Sequence, residues 1–219
     1  MDKLKKETNN SRKKRIGIMG GTFDPIHFGH LVTAEEARVS YSLDQVIFVP
    51  SGMPPHKKDY RVSDVEERYL MTILAVVTNP YFGVSRAEID RAGYSYTIDT
   101  VQYFRQIYDE NAELFFITGA DAILEILTWK NVEKLLGLCS FIAATRPGFD
   151  LAGLAKILKE LPHLNGGLHF LEVPALAISS TDIRQRVSRG DSIKYLLPET
   201  VEYFIVKNGL YDFRGKREE

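Results

Sequence analysis

Short apolar runs alternate with longer amphipathic segments along the chain. The runs are rich in Ile, Val and Phe and are typical of strands buried on both faces: RIGIM, QVIFVP, LFFITG, SFIAAT and HFLEV. A helical period marks the segments HLVTAEEARVSY, VSDVEERYLMTILAVVT, YTIDTVQYFRQIYDE and LAGLAKILKEL. Strands that alternate with helices of this length predict βαβ units, and therefore an α/β fold with an open, mostly parallel sheet and helices on both faces.

Two of these helices can be described further. The second segment has a capping-box pattern from Ser63 to Glu66, and one apolar face is predicted from Leu70, Ile73, Leu74 and Val77. A C-terminal helix is predicted in PETVEYFIVKNGLY, stopped by Gly209. Its apolar side chains could pack within the domain or against a second copy of the chain, so a homo-oligomer is left open: Val201, Phe204 and Ile205.

Composition limits the class of protein and its partners. The 219 residues fit one domain, which we place at 15–213, between a basic flexible tail (1–14) and a charged end (214–219). A net charge of −1 argues against a broad nucleic-acid surface. No apolar run approaches the roughly 18 residues of a membrane span, and no signal peptide is visible, so we expect a cytoplasmic protein without a membrane partner. The single cysteine, Cys139, is expected to be buried and inert.

The stretch GGTFDPIHFGH, residues 20–30, follows the first predicted strand. Ligands of open α/β sheets bind beyond the carboxyl ends of strands, which is where this stretch lies. Gly20 and Gly21 let the backbone turn sharply, and Pro25 keeps Asp24 out of helical geometry. A helix can therefore start only near residues 27–31, with its free N–H groups aimed at the strand end. That arrangement favours a phosphate.

His27 and His30 allow three interpretations: metal ligands, polar turn residues or donors to a phosphate. No neighbouring Cys, Glu or His cluster completes a metal shell, and the Glu of an H-E-x-x-H zinc site is missing. Imidazoles at a helix start can donate hydrogen bonds to phosphate oxygens as charge builds up during displacement. The adjacent glycine turn favours the phosphate interpretation, and no metal ligand from the protein is predicted.

A second phrase, ISSTDIRQR at 178–186, also predicts a helix start suited to phosphate. Ser179 with Asp182 three residues later fits an N-cap, so the amides of Ser180 and Thr181 fall in the first turn. Arg184 lies one turn further and can hold phosphate oxygens with its planar guanidinium. Two such helix starts in one α/β chain are stronger evidence than either alone.

Together these phrases resemble the nucleotidyltransferase superfamily, whose H-x-G-H signature stands here at residues 27–30. The resemblance spans nearly all of 15–213 and implies a Rossmann-like single domain. VPSGMPPHK, YTIDT, GADAILEILTWK and TRPG follow in the order typical of bacterial nicotinate-nucleotide adenylyltransferases. That family implies transfer of AMP from ATP to nicotinate mononucleotide by in-line displacement, giving nicotinate adenine dinucleotide and pyrophosphate in NAD biosynthesis. It also implies Mg²⁺ held mainly by the ATP phosphates.

The resemblance carries over to single residues. Those implied to act in catalysis are His27, His30 and Arg184. Those implied to bind ATP are Gly20, Gly21, Thr22, Phe23, His27, His30, Gly119, Asp121, Ile178, Ser180 and Arg184. Those implied to bind nicotinate mononucleotide are Lys57, Tyr96, Thr97, Trp129 and Arg146.

Some of these residues also have purely structural interpretations. Trp129 either stacks on the pyridine ring or only packs. Thr97 meets the nicotinate carboxylate, caps the next helix, or does both. Asp121 is placed to bind ribose or adenine, or to cap a helix. Lys57 either approaches the mononucleotide phosphate or is a solvated lysine, and Arg146 either binds a nucleotide or only braces its loop. Asp24 would repel phosphates, so we expect it to orient the turn instead.

Three alternative functions stay open. Pantetheine-phosphate adenylyltransferases share the glycine-histidine turn, but they are typically shorter and lack the middle segment with GADA and TWK. An aminoacyl-tRNA synthetase fragment would share H-x-G-H, but no KMSKS phrase is present. A catalytically silent nucleotide-binding module is a different class, against which the intact His27, His30, Ser180 and Arg184 argue.

Overall fold

The computed structural model describes residues 12–53, 62–148, 153–174 and 176–212. Six strands form one sheet: β1 (Lys14–Gly21), β2 (Gln45–Pro50), β3 (Phe82–Val84), β4 (Ala112–Gly119), β5 (Ser140–Thr145) and β6 (Leu168–Glu172). Every pair of neighbours runs parallel, in the order β3-β2-β1-β4-β5-β6. The Rossmann-like α/β fold predicted from the sequence is therefore confirmed, and the sheet is wholly rather than mostly parallel.

Helices follow the strands as the βαβ pattern predicts. Their bounds are α1 (Phe28–Ser40), α2 (Val65–Val76), α3 (Thr97–Tyr108), α4 (Ala120–Leu124), α5 (Val132–Leu136), α6 (Leu154–Glu160), α7 (Leu164–Gly167), α8 (Ser180–Arg189) and α9 (Glu199–Lys207). Short 3₁₀ turns lie at Asp109–Asn111 and Ile126–Thr128. Within the part of the chain that the structure describes, no helix combines the length and apolarity needed to cross a bilayer.

The alternation of side chains along the strands divides the core into two layers. Ile16 and Ile18 of β1 face the layer formed with α3, α4 and α5, whereas Met19 faces the layer formed with α1, α2, α8 and α9. Strand order reverses between β1 and β4, because the chain runs outward from β1 in one direction and from β4 in the other. The carboxyl ends of these two strands therefore mark the switch point at which open α/β sheets bind ligands.

Helix α2 departs from its predicted ends and face. Asp64, not Ser63, is its N-cap, and the Asp64 carboxylate accepts the Glu66 N–H at 2.8 Å. The predicted apolar face is wrong, because Leu70 and Val77 are exposed. The buried positions are instead Arg68, Met71, Thr72, Ala75 and Val76.

The other structural predictions can be checked in the same way. Strand β3 was not predicted, because it has only three half-buried residues with a glycine at the centre. Val201 and Ile205 of α9 are fully buried within the domain, and Gly209 follows the helix at φ +61°. Cys139 is buried, and burial raises the pKa of its thiol to about 12, as expected of an inert cysteine. The predicted tails fall largely outside the described residues.

Candidate active site

The loop after β1 turns back sharply and starts α1 at Phe28, with His27 as its N-cap. The His27 N–H donates to Nδ1 of His30 at 3.2 Å, and the two imidazole centroids lie 3.8 Å apart. A Cβ on Gly29 would come within 3.0 Å of the His27 ring. Gly29 has no side chain, which leaves room for the His27 imidazole to pack across it.

His27 is buried in this loop. Its side chain is only 6% exposed, and its Nδ1 has no hydrogen-bond partner among the residues described. Burial disfavours the charged imidazolium and lowers the pKa of His27 from 6.5 to about 4. At neutral pH, His27 is therefore an uncharged imidazole.

The first turn of α8 is tied to the same loop. Ser179 caps α8 by accepting the Asp182 N–H at 3.1 Å, as predicted. The Ser180 hydroxyl donates to the carbonyl of Pro25 at 2.9 Å, and the Arg184 guanidinium donates to the carbonyl of Asp24 at 2.7 Å. Two segments more than 150 residues apart are thereby joined.

Asp24 supports the turn from below. It is 1% exposed; one carboxylate oxygen accepts the Tyr211 hydroxyl at 2.8 Å and the other accepts the Ser63 N–H at 3.3 Å. These contacts support the prediction that Asp24 orients the turn. Tyr211 was not predicted, because nothing in its local sequence indicates a partner 187 residues away.

Arg68 of α2 is a second support that the sequence did not indicate. Its fully buried guanidinium donates to the carbonyl of Thr22 at 2.8 Å, to that of Ser63 at 3.1 Å and to that of Gly52 at 3.4 Å. A buried cation is tolerated when carbonyl oxygens satisfy its donors. Arg68 thus fixes the loop after β1 relative to the loop after β2.

A cavity of about 300 Å³, here called the histidine cavity, opens beside α1 and α8. It is lined by residues predicted to bind ATP together with Arg146 and Thr118: His27, His30, Gly119, Ile178, Ser180, Arg146 and Thr118. Arg146 thus lies with the residues assigned to ATP, although the resemblance assigned it to the mononucleotide.

A second cavity of about 540 Å³, here called the tryptophan cavity, lies on the other side of the same strand ends. Tyr96, Thr97 and Trp129 line it, as do Gly20, Gly21 and Thr22. Trp129 is half-buried, and its ring packs edge-on against Phe116, with centroids 6.1 Å apart. The three residues that sequence reasoning assigned to one pyridine site are therefore brought together.

The wall of the tryptophan cavity includes the start of α3. Thr97 is its first helical residue, Tyr96 is its N-cap, and no side chain caps the helix. The interpretation of Thr97 as a helix cap is therefore wrong. Lys130 also lines this cavity, with its ammonium 4.3 Å from the Tyr96 ring centroid and 3.5 Å from the Asp99 carboxylate.

Of the predicted residues that the structure describes, Arg184, Asp121 and Phe23 line neither cavity. Arg184 lines a separate cavity of about 850 Å³ between α8 and the C-terminal segment. Asp121 is exposed in the first turn of α4, and Lys57 lies outside the described residues. Phe23 is 2% exposed, and its ring packs edge-on against that of His30 at 5.1 Å.

The two cavities meet at Thr118, which lines both, next to the carboxyl end of β1. Among the residues of the described ranges, no group of three or more His, Cys, Asp or Glu side chains is placed to hold a metal ion. The site therefore offers its ligands backbone amides, imidazoles, hydroxyls and one aromatic wall.

Comparison with known proteins adds independent findings. The cytidylyltransferase-like family model matches residues 18–186. A probable nicotinate-nucleotide adenylyltransferase of Moorella thermoacetica is 64% identical over 203 residues, which cover 92% of this chain and 93% of the relative. A protein of the same name from Thermoanaerobacter sp. is 59% identical over 201 residues, covering 91% of this chain and 95% of that one. The structure of Plasmodium falciparum nicotinic acid mononucleotide adenylyltransferase complexed with NaAD shares the fold, with a TM-score of 0.74 at 24% identity, covering 93% of this chain and all of that one.

Proposed function

Because the chain belongs to the cytidylyltransferase-like family and, within it, to the nicotinate-nucleotide adenylyltransferases, we propose that it transfers the adenylyl group of ATP to nicotinate mononucleotide. The products are nicotinate adenine dinucleotide and pyrophosphate. The observation that carries the proposal is the meeting of the histidine cavity and the tryptophan cavity at the switch point of the sheet. One cavity suits a polyphosphate and the other an aromatic anion.

ATP is proposed to bind in the histidine cavity. At the start of α1, the N–H groups of Phe28 and His30 bond to the carbonyls of Leu196 and His27, and Gly29 lines the cavity between them. The buried Nδ1 of His27 supplies a polar contact for a phosphate oxygen. Because Nδ1 of His30 accepts a hydrogen bond, a neutral His30 carries its proton on Nε2, from which it donates. Ser180 lines the same cavity and Gly119 lies on its opposite wall, while Arg146 adds a cation.

Nicotinate mononucleotide is proposed to bind in the tryptophan cavity. Trp129 offers a π-face to the cationic pyridinium ring, and the uncapped start of α3 at Thr97 offers amides to the nicotinate carboxylate. Lys130 adds positive charge beside Tyr96. Lys57 is proposed for the mononucleotide phosphate on the family resemblance alone.

The reaction needs no nucleophile from the protein. An oxygen of the mononucleotide phosphate forms a bond to the α-phosphorus of ATP, and the bond from that phosphorus to the oxygen of the leaving pyrophosphate breaks. The protein contributes by holding two anions in line and by donating hydrogen bonds to the charge that develops. Cys139 takes no part, because it is buried below the sheet layer with its pKa raised to about 12.

Mg²⁺ is proposed to enter with ATP as its phosphate complex. Oxygen ligands from phosphates and water suit this ion, and it neutralises charge on the leaving pyrophosphate. The polar side chains among the described residues that line the histidine cavity are imidazoles, hydroxyls and one guanidinium, which complement the phosphates rather than the metal.

Pyrophosphate release tests the proposal directly. The purified protein is incubated with ATP and Mg²⁺ and one of three acceptors: nicotinate mononucleotide, nicotinamide mononucleotide or phosphopantetheine. The highest specificity constant is expected with nicotinate mononucleotide. His30→Ala, purified in parallel, controls for a contaminating enzyme.

Each alternative has its own signature in this assay. A higher specificity constant for phosphopantetheine would identify a pantetheine-phosphate adenylyltransferase. No pyrophosphate with any acceptor, together with measurable ATP binding, would identify a silent nucleotide-binding module. The domain bounds, the cytoplasmic location and the homo-oligomer left open by the sequence stay predictions.

A further inference from the structure

A buried acid, Glu88, lines the tryptophan cavity from the connection between β3 and α3. Its side chain is 6% exposed. The sequence reasoning did not single it out, and the proposed transfer does not use it. Burying a carboxyl group is costly unless hydrogen bonds satisfy it, so its partners indicate why it is there.

Those partners belong to two different segments. The Thr100 hydroxyl, in the first turn of α3, donates to Oε1 of Glu88 at 2.5 Å, and Ser95 also hydrogen-bonds to the carboxyl group. Oγ of Ser95 in turn accepts the N–H groups of Gly52 and Met53, at 3.1 and 3.3 Å. Glu88 therefore ties the start of α3 to the loop that follows β2.

The electrostatics of this position suit an anionic ligand. Burial raises the pKa of the Glu88 carboxyl, whereas hydrogen bonds from Thr100 and Ser95 and the charge of Arg91 lower it, and burial is the largest effect. Arg91 places a positive charge beside this carboxyl group.

We propose that Glu88 is a positioning residue for the acceptor: it holds the first turn of α3 where the amides of Thr97 and its neighbour meet the nicotinate carboxylate. This inference rests on the proposed function. It concerns one substrate only, because Glu88 lines the tryptophan cavity and does not line the histidine cavity.

Because Glu88 lines the tryptophan cavity and not the histidine cavity, its replacement should change KM for the two substrates differently. Glu88→Ala removes the short hydrogen bond from the Thr100 hydroxyl, which is left with the longer contact to the Tyr96 carbonyl at 3.4 Å, and it removes the carboxyl group to which Ser95 bonds. The start of α3 then loses its tie to the loop after β2, so KM for nicotinate mononucleotide should rise by about tenfold or more, the scale of one lost buried hydrogen bond. KM for ATP should stay within about twofold, since no contact of Glu88 reaches the histidine cavity. Glu88→Gln keeps an acceptor oxygen for Thr100 and should restore most of the affinity.

The experiment measures kcat and both KM values for wild type, Glu88→Ala and Glu88→Gln. Binding of nicotinate mononucleotide by calorimetry and the thermal midpoint are measured beside them. Glu110→Ala is the matched control, because Glu110 is exposed and lies just before the amino end of β4, whereas the cavities lie at the carboxyl ends of the strands. If Glu88→Ala does not fold, Thr100→Val removes the same hydrogen bond from the other side and should show the same selective rise in KM.

The outcomes are distinct. A selective loss of acceptor affinity that Gln restores supports the inference. Equal rises in both KM values, or a lower thermal midpoint with unchanged affinity for the mononucleotide, would overturn it, since Glu88 would then serve only the fold. A wild type that neither binds nor adenylylates nicotinate mononucleotide would instead refute the proposed function, and the inference with it.

Discussion

The burial of His27 predicts a specific loss of stability in mild acid. The folded protein holds this imidazole at a pKa of about 4, whereas the unfolded chain restores the ordinary 6.5. Between these two values the unfolded state binds the proton and the folded state does not. Stability is therefore fully present above about pH 6.5 and is lost as the pH falls toward 4.

The magnitude follows from the two pKa values. The interval from 6.5 to about 4, at about 1.4 kcal/mol for each pH unit, amounts to about 3 kcal/mol from this one side chain. That is a large share of the roughly 5 to 15 kcal/mol by which domains are stable. This loss of stability should lower the denaturant concentration at the midpoint of unfolding.

Urea unfolding at about pH 7 and about pH 4.5 measures it. Glutamine at position 27 does not titrate, so the wild type should lose about 2 to 3 kcal/mol more than His27→Gln over this interval. His163→Gln is the matched control, since His163 is exposed and its variant should follow the wild-type pH dependence. Identical pH dependences for wild type and His27→Gln would refute the conclusion that the folded protein keeps His27 uncharged.

Three further predictions concern catalysis and support of the site. His30→Ala should lower kcat by about a hundredfold or more while the fold is kept, because it removes a preorganised donor; near-normal turnover would make His30 a turn residue. Tyr211→Phe should cost about 1 to 3 kcal/mol in urea unfolding, since it leaves the buried Asp24 short of a donor, and Tyr203→Phe, at an exposed position, should cost almost nothing. Trp129→Ala should raise KM for nicotinate mononucleotide by about tenfold and Trp129→Phe by less, with KM for ATP unchanged; equal effects on both substrates would exclude stacking.

Local pattern was sufficient for five of the six strands that the structure describes and for the start of α8. Continuous apolar runs identified five strands, and Ser179 was placed correctly as the N-cap of α8 because capping depends on neighbours in sequence. The apolar face of α2 was predicted wrongly, because Arg68 is buried there while Leu70 is exposed. The order of apolar and polar residues cannot show that the Arg68 guanidinium is satisfied by carbonyl oxygens of the loops after β1 and β2.

The residues of the two cavities were predictable where they belong to local motifs and unpredictable where they hold other residues. His27, Ser180 and Trp129 belong to motifs whose chemistry is local, and the structure brings them to one edge of the sheet. Tyr211 and Glu88 act through partners that only the fold brings near them. The roles of such side chains can be identified only from the tertiary structure, since the residues next to them in sequence give no indication of their partners.

The last two residues of β1, Gly20 and Gly21, lie at the tryptophan cavity and are packed against aromatic rings. A Cβ on Gly20 would lie 3.2 Å from the Phe116 ring, and one on Gly21 would lie 2.7 Å from the Phe23 ring. Both positions therefore present bare backbone to the tryptophan cavity, beside the start of α1. We propose that the reacting phosphate groups meet here, because two phosphates approach more closely over backbone than over side chains. The packing of Phe116 and Phe23 against these glycines keeps a side chain out of that position.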